Sequence, residues 1–92
     1  MMKKQSELEQ IPGVGKAIAE DLNNLGIHQV QELRNQDPEI LYRQLCDYEG
    51  KPVDRCMLYV LRCAVYYAST KNPEPGLLKW RSWKHKSYPS EV

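Results

Sequence analysis

One segment constrains the fold more than any other: PVDRCMLYVLRCAVYYAS, Pro52 to Ser69. At helical spacing one face carries Val53, Cys56, Met57, Val60, Cys63, Ala64 and Tyr67, and a second carries Leu58, Leu61, Val65 and Ala68. Only a narrow stripe of Arg55, Tyr59, Arg62 and Tyr66 is left over. A helix apolar around so much of its circumference has to be surrounded by other elements. It is therefore either the central helix of the domain or partly covered by a second subunit.

The flanking sequence offers short helices and no strand, because no segment alternates with period two between turn signals. Ser6 and Glu9 have capping-box spacing, and Pro12 ends that first helix near Ile11. A second helix leaves the turn at Gly13 and Gly15, faces Ile18, Ala19, Leu22 and Leu25 inward, and stops before Gly26, which suits a left-handed C′ position. A third, short helix covers Gln29 to Arg34 with Val30 and Leu33 inward. Asp37-Pro38 starts a fourth as cap and first-turn proline. It carries Ile40, Leu41, Leu45 and Tyr48 inward and ends at Gly50. The fifth is Pro52 to Ser69, broken by NPEPG at Asn72 to Gly76, after which Leu77, Leu78, Trp80 and Trp83 fold back over the core. Residues 85–92 have no apolar pattern and read as a flexible tail. The expectation is one all-α domain over residues 1–92, a compact bundle of about five helices.

The chain has 92 residues, 41% hydrophobic and 27% charged, a balance that fits a small soluble domain. No apolar run approaches a bilayer span, and the start MMKKQSELEQ lacks the apolar stretch of a signal peptide, so a cytoplasmic location is expected. Cys46, Cys56 and Cys63 are an odd number with no C-x-x-C spacing, and they read as small buried apolar side chains rather than a disulfide or zinc framework. His28 and His85 stand apart from any recognisable nucleophile or carboxylate set, so no enzyme, metal or cofactor is implied.

Charge is divided along the chain. Residues 5–50 hold nine acids against three bases, net −6, while residues 51–92 hold eight bases against three acids, net +5. Lys3 and Lys4 supply the remaining +2. A polyanion is drawn to the C-terminal half and the extreme N-terminus. The Arg55, Tyr59, Arg62 and Tyr66 stripe is either a solvated edge or a partner for the acidic half, and the opposite charge of that half favours the second.

IPGVGK, Ile11 to Lys16, lies in the acidic half. Two glycines around one apolar residue make a turn too tight for side chains, with Val14 anchoring it to the core. Because the turn opens directly into a helix, the amides around Gly15, Lys16 and Ala17 point outward at the positive end of a dipole, which favours a phosphate oxygen. Lys16 adds a mobile positive charge beside them.

From Leu8 to Ile27 the chain resembles the helix-hairpin-helix motif of DNA repair and recombination proteins. The matching elements are Leu8 and Ile11 before the hairpin, Gly13-Val14-Gly15 in it, Ala19 at the helix crossing, Leu22, and Leu25-Gly26-Ile27 at the close. Pro52 to Ser69 followed by NPEPGLLKWRSWK resembles the small bacterial pathogenicity-locus family, whose members are often labelled mitomycin-resistance-like and carry such a motif. The resemblance implies a SAM-domain-like helical fold with the motif over residues 6–27, a helical core over 28–70 and a packed C-terminal segment over 71–84. It also implies DNA as partner, bound through the backbone without reading sequence. Gly13, Val14, Gly15, Lys16 and Ala17 would form the contact, with Val14 as anchor, and repair or damage tolerance would be the setting.

The same hairpin also serves as a packing device or a protein-binding scaffold in related modules, so self-association is the competing expectation. Glu20 and Asp21 would repel a duplex if they faced it. A single hairpin with one lysine neutralises roughly two or three phosphates and binds at about 10⁻⁴ M or weaker at physiological salt. Useful affinity would require a homodimer or the basic, aromatic-interleaved tail with Lys79, Arg81, Lys84 and Lys86. That tail has the pattern of a single-strand binder, although in so small a domain both indoles are expected to be buried.

Overall fold

The structure, a computed structural model, describes residues 7–84. All regular structure among them is helical. Three α-helices, α1 (Lys16–Asn24), α2 (Pro38–Glu49) and α3 (Arg55–Ser69), are joined by 3₁₀ turns at Glu7–Gln10, Val30–Leu33, Pro75–Leu78 and Trp80–Trp83. The all-α expectation therefore stands, but two of the five expected helices are single 3₁₀ turns. The segments at Glu7–Gln10 and Val30–Leu33 are four residues each, too short to repay the cost of nucleating an α-helix. Ser6 and residues 85–92 lie outside the described residues, so the expected capping box and tail do as well.

α3 is the centre of the domain within a single chain. Met57, Leu58, Val60, Leu61, Arg62, Cys63, Ala64 and Val65 are all buried along it. Around it pack α2, the Val30–Leu33 turn and both C-terminal turns. Leu8, Ile11, Val14, Ala19, Leu22 and Ile27 from the N-terminal unit join the same continuous core.

The helix ends follow local chemistry. At the end of α1, Gly26 has φ +89°, and Ile27 N–H donates to the Leu22 carbonyl while Gly26 N–H donates to Asn23. This is a Schellman closure with Ile27 as its buried hydrophobic contact. Asp37 caps α2 by accepting from Glu39 N–H at 2.9 Å, with Pro38 at the first turn. α3 begins at Arg55 rather than Pro52, because Asp54 caps it by accepting from Cys56 N–H at 2.8 Å. The lead-in is held to α2: Tyr42 Oη donates to the Val53 carbonyl, and Val53 N–H donates to Cys46 Sγ at 3.4 Å.

Two side-chain expectations, for α2 and for the cysteines, are corrected. Ile40 and Tyr48 are exposed, because the inward line of α2 is Pro38, Leu41 and Leu45. Ile40 stands about 100° around the helix from Leu41, and Tyr48 is left uncovered on the last turn. Cys63 is buried and its thiol pKa is pushed up to about 11 by burial, but Cys46 is half-buried and Cys56, on the first turn of α3, is exposed. The Arg62 guanidinium is turned inward, whereas the sequence pattern leaves it on a polar stripe. Its Nε and Nη2 donate to Glu39 Oε2 at 3.2 and 2.6 Å, and its Nη1 donates to the Trp83 carbonyl at 2.9 Å. The expected pairing with the acidic half thus holds at Arg62.

The C-terminal segment folds back over α3. Trp83 is fully buried, stacks obliquely on Tyr66 with ring centroids 5.4 Å apart, and donates Nε1–H to the Leu77 carbonyl at 2.8 Å. Trp80 is only half-buried, which corrects the expectation that both indoles are enclosed.

Candidate nucleic-acid interface

The turn before α1 is built from residues 11–14. Val14 N–H donates to the Ile11 carbonyl at 3.0 Å, closing a four-residue turn with Pro12 and Gly13 in the middle. Gly13 has φ +88°, so the Pro-Gly pair matches a type II turn, whose third position excludes ordinary side chains. Ile11 and Val14 are buried on either side and fix the turn to the core. Val14 is therefore an anchor with both its side chain and its amide engaged inside.

Gly15 is the N-cap of α1 in extended conformation, with no side chain to cap the helix. Among the described residues, no acceptor meets the amides of Gly13, Gly15, Lys16 or Ala17. All four residues are exposed. Uncapped first-turn amides carry the positive end of the helix dipole and favour an anion.

The structure brings the C-terminal basic segment to this hairpin. A groove of about 350 Å³ is lined by Gly13, Leu78, Lys79, Trp80 and Arg81. A Cβ on Gly13 would come within 3.3 Å of Trp80 Cδ1, so the indole edge lies directly against the hairpin backbone. The Arg81 guanidinium stands 5.4 Å from the Trp80 ring centroid. Lys79, Arg81 and Lys84 are exposed, and Lys86 lies outside the described residues. The Cys56 thiol pKa is raised, first by its hydrogen bond to Asp54, against an opposing pull from Lys84 and Arg81.

The acids of α1 divide. The Asp21 carboxyl pKa is raised above its usual range by partial burial and by the charges of Glu49 and Glu20. Glu20 remains exposed one turn beyond Lys16.

Sequence reasoning singled out the Ile11–Lys16 turn and the basic segment but not their contact, since nothing links residue 13 to residues 78–81 in a linear pattern. It also left open the role of Arg62, whose bond to the Trp83 carbonyl holds the segment in place. The only sequence signal for that role is an arginine among buried positions on a mostly apolar helix.

The family model for the pathogenicity locus (Cdd1) matches residues 2–88. The chain belongs to this family. The mitomycin resistance protein McrB of Streptomyces lavendulae is 32% identical over 60 residues, 65% of this chain and 57% of that protein. The chain thus matches little more than half the length of that relative. No solved structure matches it. Among the described residues of this pathogenicity-locus protein, no helix is long and apolar enough to cross a membrane.

Proposed function

We propose that this protein binds DNA through the phosphate backbone, without sequence preference, by a helix-hairpin-helix centred on Gly13 to Ala17, and that it is a cytoplasmic binding protein rather than an enzyme. The observation that carries this reading is the set of amides at the exposed residues Gly13, Gly15, Lys16 and Ala17, unmet among the described residues, with Lys79 and Arg81 lining a groove that Gly13 shares. The basic segment supplies the help that a lone hairpin in an acidic half needs. Lys16, Lys79, Arg81 and Lys84 together give a salt slope of about −3 to −4 on duplex DNA. A setting in DNA repair or damage tolerance is part of the proposal and rests on the motif's resemblance alone.

Two variants test the hairpin from opposite sides. Lys16→Glu reverses a contact charge, and a salt-series titration should show weaker binding and a shallower slope. Gly15→Ser adds an N-cap side chain, which stabilises the helix by a few tenths of a kcal/mol while occupying the amides a phosphate would use. It should melt no lower than the parent and still bind DNA less tightly. Unchanged affinity in both folded variants would remove the hairpin from the interface.

A second reading, self-association, is favoured by Ile40 and Tyr48, both exposed on α2 at 48% and 59%. Light scattering across a concentration series decides it, and a monomer at every concentration rules it out.

A further inference from the structure

Backbone contact alone does not account for the make-up of the groove beside the hairpin. Its walls are apolar where Gly13, Leu78 and the half-buried indole of Trp80 meet, and two exposed cations, Lys79 and Arg81, stand at the same place. The absent side chain at position 13 lets the indole edge seat against the turn, since a Cβ there would press on Cδ1 at 3.3 Å. At about 350 Å³ the groove lies at the small end of ligand sites, with room for one planar ring and its sugar but not for a helix.

The bases of a duplex are stacked on one another, so intact DNA offers this groove only phosphates. An unpaired base has a free π-face, which stacks on an aromatic side chain whatever its identity, and Arg adds a cation–π contribution. Arg81 already lies over the Trp80 ring at a distance of that kind, 5.4 Å. We infer that the groove takes one unpaired base of single-stranded DNA, stacked on Trp80 and flanked by Arg81, with Lys79 and the hairpin amides on the neighbouring phosphates. The inference rests on the DNA-binding reading above and names its substrate: DNA with an unpaired stretch is preferred over continuous duplex.

The test uses the full chain at low salt, with a labelled oligo(dT) and a blunt duplex as separate probes. Oligo(dT) should quench tryptophan emission and bind more tightly than the duplex. Trp80→Leu should weaken oligo(dT) binding by about five- to 150-fold, the range for one base–aromatic stack, and leave duplex binding unchanged. Trp80→Phe, with a smaller ring, should fall between. Buried Trp83 remains in both variants as the check on folding through its emission and thermal melt. If folded Trp80→Leu and Trp80→Phe bind oligo(dT) like the parent, the inference fails while the hairpin reading stands. Equal weakening for both probes would make Trp80 a prop for the hairpin, and that too overturns it. Absence of binding to either probe in the parent protein overturns the DNA reading itself.

Discussion

Removing Glu39 should damage the fold more than removing Arg62, although the two form one ion pair. The side chains are 44% and 10% exposed respectively, so the burial is lopsided. In Glu39→Ala the guanidinium stays in the core, keeps its bond to the Trp83 carbonyl, and loses the carboxylate that its Nε and Nη2 share. Breaking a fully buried pair costs 3–5 kcal/mol. Water can enter where Glu39 stood, so about 2–3 kcal/mol is expected. In Arg62→Met, Glu39 is solvated freely and the loss is the donor to the Trp83 carbonyl, partly offset by the apolar side chain, for about 1–2 kcal/mol. The difference of about 1 kcal/mol corresponds to roughly 4–8 °C in melting temperature for a domain of this size. Urea unfolding followed by far-UV circular dichroism measures all three quantities if the double variant is included. The double variant should be no less stable than Arg62→Met alone, because it leaves no unpaired buried charge. If Arg62→Met proves as costly as Glu39→Ala, or the double variant is worse than either, unequal burial does not set the cost of breaking this pair.

Other outcomes follow from single residues. Gly13→Ala should destabilise by about 1–2 kcal/mol, since φ is +88° and the new Cβ meets Trp80 at 3.3 Å, whereas Gly15→Ala, with open space around it, should cost less than about 1 kcal/mol in the same urea assay. The Asp21 carboxyl pKa is pushed above its ordinary 3.8, chiefly by burial and then by Glu49 and Glu20. The folded state holds that proton more tightly than the unfolded chain, so the ionised group costs stability above its folded pKa and the cost fades as pH falls through it. Asp21→Asn should therefore raise the melting temperature at neutral pH and give no gain at about pH 3, and an equal gain at both would contradict this. A thiol reagent followed by peptide mass mapping should modify exposed Cys56 first and reach buried Cys63 only at the rate of global opening.

Much of the fold is legible in the residues because the signals are local. The apolar circumference of Pro52–Ser69 announces a central helix, and Gly26, Asp37-Pro38 and Gly50 mark ends that the backbone respects. Hydrophobic spacing is shared by α-helices and 3₁₀ turns over four residues, so Glu7–Gln10 and Val30–Leu33 cannot be told apart by pattern. Asp54 is a better start signal than Pro52, since its side chain meets an amide and a proline ring only permits the turn. The turn in IPGVGK is equally local, which is why Gly13 and Val14 stand where their types predict. The neighbour of that turn is set by tertiary packing, across more than 60 positions, and its cause lies in the Arg62, Tyr66 and Cys63 contacts that seat residues 77–83.

The seat of Trp83 also bears on where this folding unit ends. The NPEPG break after α3 invites a cut there, as if the basic segment were an appendage. Yet Trp83 has no exposed surface, and its carbonyl and indole nitrogen are bonded to Arg62 and Leu77. A fragment stopping at Ser69 would open a hole the size of an indole beside α3 and strip Arg62 of an acceptor. Removal of a buried tryptophan side chain alone costs about 3–5 kcal/mol, a large share of what holds a domain of this length together. The minimal cooperative unit therefore runs through Trp83, and a cation-bearing surface comes with it as an obligatory part of the core.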